Sequence, residues 1–177
     1  MKRQAVALVA KEFERQEDEL EARRIETEFF KSWQFWRVTD DAFPPRVLVV
    51  ATSSTKTVKP SFAGGFSEII ASEPVHLAAP EAAIRYVTFF ISVTDLPAFV
   101  LKSVDEIPGI NESERREWAG RVTQPIARAK GRNYLVELWV WRHEQLTNDR
   151  FAVTSQGLIT SEVEVAVPKI GVEIGIE

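Results

Sequence analysis

Cysteine is absent from the 177 residues, which excludes a disulfide framework and any thiolate zinc site. Histidine occurs twice, as His76 and His143. The adjacent acidic pairs, such as Asp40-Asp41 and Asp105-Glu106, would point to opposite faces of a strand, so they make poor chelates. No metal and no cofactor is expected. Long apolar runs are missing too. The patch Ala5–Ala10 is too short for a signal sequence and is followed at once by Glu12, Glu14 and Glu17. No stretch approaches the roughly 20 apolar residues that span a bilayer, so a cytoplasmic, membrane-free protein is expected. Glycines are lacking ahead of Lys56 in Ser54-Thr55-Lys56-Thr57, which removes the backbone cradle that a phosphate loop needs.

What is present is ordinary for a globular chain: 45% hydrophobic, 27% charged and a net charge of −4. The length suits a single domain over 1–177. The charge is unevenly placed. Residues 11–28 hold eight acids and four bases, whereas residues 115–132 hold six bases and one acid. Opposite potentials of this kind favour docking and set its orientation. The basic run has one interleaved aromatic, Trp118, and the chain is acidic overall, which argues against nucleic acid as a partner.

Residues 3–31 lack glycine and proline and are rich in helix formers, so a long N-terminal helix over 1–31 is expected. Strands follow at 34–39 and 46–52, the second almost wholly apolar and so covered on both faces. Residues 53–65 read as a loop and 66–71 as a short strand. Residues 80–92 form the clearest amphipathic helix, with Pro80 at its first turn and one polar stripe of Glu81, Arg85, Thr88 and Ser92. Ile84, Val87 and Ile91 should be buried. A strand is expected at 98–104. Asn111 and Glu114 then form a capping box that opens a kinked helix reaching Gly131.

The last third alternates as strands do, at 134–143, 149–155 and 158–167, with a turn near Thr147-Asn148-Asp149. Residues 168–177 read as a tail or an added edge strand. The fold class expected is α+β, with an antiparallel or mixed sheet, helices packed on one face, a long N-terminal helix and a C-terminal three-strand meander. In broad architecture this is similar to NTF2-like and cystatin-like folds, a likeness that transfers no activity.

One row of residues invites a site. Alternation places Leu135, Glu137, Trp139, Trp141 and His143 on one face of a strand. Two readings follow. In the first, this is a non-enzymatic interaction or assembly protein. Trp139, Trp141, Arg115, Arg116 and Arg121 meet a protein partner, as a homo-oligomer or part of a larger complex, because Trp and Arg are enriched at interfaces. In the alternative, a small-molecule binder or enzyme of NTF2-like architecture has a pocket lined by Glu137, Trp139, Trp141 and His143. Glu137 or His143 would then serve as general base.

Overall fold

The structure is a computed structural model that describes residues 1–61 and 64–168, with residues 161–168 described by their backbone alone. Of the tail expected at 168–177, residues 169–177 lie outside the described residues. The fold is α+β, and the chain separates into two compact units, Met1–His76 and Leu77–Glu177.

The first unit opens with α1, Lys2–Phe13. The helix is less than half the expected length, and residues assigned to its second half form β1, Leu20–Ile25. Its end has identifiable causes. Glu14 turns left-handed (φ 55°) and its N–H bonds back to Ala10 O. Arg46, arriving from a strand, donates from Nη2 to the Phe13 carbonyl at 3.0 Å and stacks its guanidinium 4.3 Å from the Phe13 ring. Helix propensity is a weak prior, and these tertiary contacts override it.

Strand β1 pairs antiparallel with β2, Gln34–Asp40, which pairs with β3, Arg46–Thr52, and then with β4, Thr57–Val58. Alternation sends Trp36 and Val38 to one face, where they meet Leu48 and Val50 under Ala5 and Val9 of α1. Phe35 points the other way. Its ring meets Phe30, which meets Phe66 of α2, Gly65–Ser72. Residues 66–71 are thus helix, not strand. Phe66, Ile69 and Ile70 are buried at helical spacing. The expected loop at 53–65 is partly a tight connection closed by Ser53, whose N–H donates to Lys56 O at 2.8 Å while its Oγ accepts from Lys56 N at 3.0 Å. Gly65 is required by close approach, because a Cβ there would lie 2.1 Å from the Lys59 carbonyl oxygen.

The second unit carries α3, Pro80–Thr94. Val87 and Ile91 are buried, and Ile84 is half-buried. Phe90 meets Phe151 at 6.1 Å, and the Tyr86 hydroxyl donates to Gly157 O at 2.9 Å. Strand β5 is Phe99–Leu101. The capping box forms as expected: Asn111 Oδ1 accepts from Ser113 N and Glu114 N, and Glu114 returns the bond to Asn111 N. The helix it opens, α4, covers Glu112–Trp118 and stops there. Beyond Gly120 and Pro125 the chain becomes β6, Ile126–Lys130, which pairs with Asn133–Glu137. Two breakers and an open strand edge beside it explain why no kinked helix continues to Gly131.

The meander is β7, Asn133–Arg142, β8, Gln145–Thr154, and β9, Ile159–Pro168, all antiparallel. The sheet order is β5-β7-β8-β9, with β6 following β5 along the same edge of β7. The hairpin turn is not at Thr147-Asn148-Asp149, which lie inside β8. It is His143-Glu144, with φ of 47° and 60°. Two positive φ values are what a two-residue hairpin of this twist demands. Neither residue advertises the turn as Asn-Gly would.

Candidate functional site

Strand β7 separates two environments. Its inner face, Val136, Leu138 and Val140, is buried. Its outer face begins with Trp141, which is only 8% exposed. That indole packs with Leu101, Val104, Ile107, Trp118, Val122 and Leu146. The cover is α4 together with the short 3-10 turn before it, Val104–Glu106. The cover then ends. Trp139 is half-buried at its margin, with its ring 6.1 Å from that of Trp118 in a T-shaped arrangement. Beyond it, Ile126 and Leu135 are exposed by 41% and 38%.

At this margin lies a groove of about 180 Å³ lined by Arg121, Thr123, Ile126, Glu137, Trp139 and Asn148. Glu137, Trp139 and Asn148 come from the sheet, since Asn148 stands directly opposite Trp139 in register. Arg121 and Thr123 come from the segment after α4. Arg121 holds its guanidinium 4.8 Å from the centre of the Trp118 ring. Glu137 sits 3.8 Å from Arg150 Nη2 across the β7–β8 pair. The side-chain oxygen of Asn148 is buried and has no hydrogen-bond partner among the described residues.

The predicted residues therefore divide. Glu137, Trp139 and Arg121 share the groove. Trp141 belongs to the core. His143 does not extend the row, because the left-handed turn swings it off the strand; its side chain is 65% exposed and its Nε2 lies 4.0 Å from Asp95 Oδ1. Arg115 and Arg116 sit on α4, where Arg115 faces Asp105 at 3.3 Å and Arg116 faces Glu112 at 3.3 Å. Thr123, Ile126 and Asn148 were not anticipated. A reading in which Asn148 marked a turn could not have found it.

A second cluster lies on the inner face. Asp149 is fully buried and accepts a bond from Arg142 Nη2. Arg142 Nε lies 3.1 Å from Asp95 Oδ2 but is not aligned to donate to it. Asp149 Oδ1 has no hydrogen-bond partner among the described residues. Burial pushes the Asp149 carboxyl above its usual range, against the pull of the Arg142 charge and the Thr147 hydroxyl.

No group of three or more His, Cys, Asp or Glu among the described residues is placed to hold a metal ion. No helix among them is long and apolar enough to cross a membrane. Compared with family models, with curated proteins and with solved structures, the chain matches none.

Proposed function

We propose that this is a non-enzymatic interaction protein that acts through the uncovered part of the outer sheet face in its second unit. One observation carries the reading. Ile126 and Leu135 stand exposed beside half-buried Trp139, on a face that also carries Arg121, Arg128, Arg150 and Glu137. Single exposed apolar residues are ordinary. Grouped around an indole and framed by arginines, they have the composition of an interface. The partner that fits is a protein segment bearing acidic side chains. A second copy of this chain carries one in residues 11–28, where Glu17–Glu19 form an exposed 3-10 turn.

Light scattering across salt concentrations tests this. Assembly through this face should give a native mass above the 20.0 kDa of one chain at low salt. The mass should fall as salt rises, because exposed charges are screened within about 8 Å at physiological ionic strength. The double variant Ile126→Glu, Leu135→Glu should remain a monomer. A single-chain mass at every salt and protein concentration would overturn the second-copy reading.

A further inference from the structure

Phe43 is the most exposed large hydrophobic residue among the described ones, at 97%. It stands in the middle of the turn 41–45 that joins β2 to β3. The turn has a fixed base. Asp40 accepts bonds from Ala42 N, from Arg46 and from Arg15, and the rings of Pro44 and Pro45 set φ on the far side of Phe43. An aromatic presented on a fixed base loses little freedom when a partner buries it, as a binding anchor requires.

The surroundings of Phe43 are acidic. Leu20 is the register partner of Asp40. The turn Glu17–Glu19, which precedes Leu20, and the turn 41–45, which follows Asp40, therefore leave the sheet at the same end. Glu17, Asp18, Glu19 and Asp41 are all exposed. The uncovered face of the second unit has the reverse composition. Arg128 and Lys130 stand exposed on β6 beside Ile126, Leu135 and Trp139. Their rows across the sheet hold no acid: Arg128 faces Leu135, then Ala152 and Thr160, and Lys130 faces Asn133, then Thr154. Glu137, which lines the groove, is already matched by Arg150 at 3.8 Å. At about 180 Å³ the groove is well below the roughly 300–1,000 Å³ of sites for drug-sized ligands, and suits a single side chain.

We propose that Phe43 of one copy plugs the groove beside Trp139 of another, with its acidic surround against Arg128 and Lys130. The inference rests on the reading of this face as an interface with a second copy, and adds the residue that enters it. The ring gains an aromatic contact with Trp139, and opposite charges around it set the orientation. Plug and groove are different patches, so the contact is heterologous. Each copy added leaves one plug and one groove free, and assembly continues unless a ring closes.

The test is native mass by light scattering at low salt, on single variants and on their mixture. The mass of the unaltered chain should rise with protein concentration through multiples of 20.0 kDa. Phe43→Ser should weaken association at least about tenfold, as loss of a binding anchor does. Its urea midpoint should stay the same, because Phe43 is exposed. The groove variant Ile126→Glu, Leu135→Glu should stay at one chain. Mixed in equal amounts, the two variants should form particles of two chains and no larger, since one intact plug and one intact groove remain. Assembly of Phe43→Ser equal to that of the unaltered chain would overturn the proposal; with the groove variant still at one chain, the reading of the face as an interface would stand. A mixture that stays at one chain, with both variants folded, would overturn it too. Where the groove variant folds poorly, Phe43→Ser alone decides. A single-chain mass for the unaltered chain at every concentration would overturn the plug and the second-copy reading together.

Discussion

The two units each bury one aspartate, and the two aspartates behave in opposite ways. Asp40, at the end of β2, accepts from Arg46 Nη2 at 2.6 Å, from Ala42 N at 3.0 Å and from Arg15 Nε at 3.1 Å. Those donors, Arg46 first, hold its carboxyl at about 2. Asp149, in the middle of β8, has Arg142 on one oxygen, the pull of the Thr147 hydroxyl besides, and among the described residues no hydrogen bond formed at Oδ1. Burial dominates there and raises its carboxyl. Burial alone therefore does not decide the charge state of a carboxylate. The number of donors aimed at its ionised form does. The first unit uses its aspartate as a clasp that joins the end of α1 to β2 and β3. The second holds one in a less satisfied state.

Removing Arg142 should break this contrast with the largest effect. Arg142→Met leaves Asp149 buried without its cation, and stripping one partner from a buried pair costs roughly 3–5 kcal/mol. Urea denaturation at neutral pH measures it. Arg142→Met combined with Asp149→Leu should recover most of the loss, because an apolar pair of similar volume is often neutral or better. A loss below about 1 kcal/mol in the single variant would show that Asp149 is already protonated at neutral pH and needs no cation.

Acid sharpens the same comparison with smaller effects of opposite sign. Asp40 has a lower pKa folded than unfolded, so its stabilisation is complete above the usual carboxylate range and is lost as pH falls towards about 2. Asp149 has a higher pKa folded than unfolded, so the folded state takes up its proton first. Its contribution grows as pH falls from above the folded value through the usual carboxylate range, and declines as pH rises. Stability measured against pH in Asp40→Asn should lack the acid loss, and in Asp149→Asn should lack the acid gain. Identical pH profiles for the two variants would show that the two sites do not differ.

Most of the second unit's framework was legible in the sequence. The stripe of Glu81, Arg85, Thr88 and Ser92 marked α3, the Asn111–Glu114 box marked the start of α4, and alternation marked β7 and β9. What was illegible has common physical causes. Residues 14–31 carry no helix breaker, yet α1 ends because Arg46, 33 residues away from Phe13, bonds to its carbonyl. Asn148-Asp149 read as a turn, but the turn falls on His143-Glu144, which bear two positive φ values without glycine or asparagine. Of the candidate site, Glu137, Trp139 and Arg121 were found by alternation and charge. The separation of Trp139 from Trp141 was not, because a period of two says which face a residue occupies and nothing about where α4 stops covering it.

Asn148 is where the smallest effect carries the most information. It lies in a strand that disfavours its side chain, next to an aspartate whose burial is costly, and its oxygen lacks a donor among the described residues. Asn148→Val keeps a strand-compatible side chain and removes the unmet acceptor, so stability should rise by up to about 1 kcal/mol. Were Asn148→Val instead to lose more than about 1 kcal/mol, the amide would be holding the sheet together.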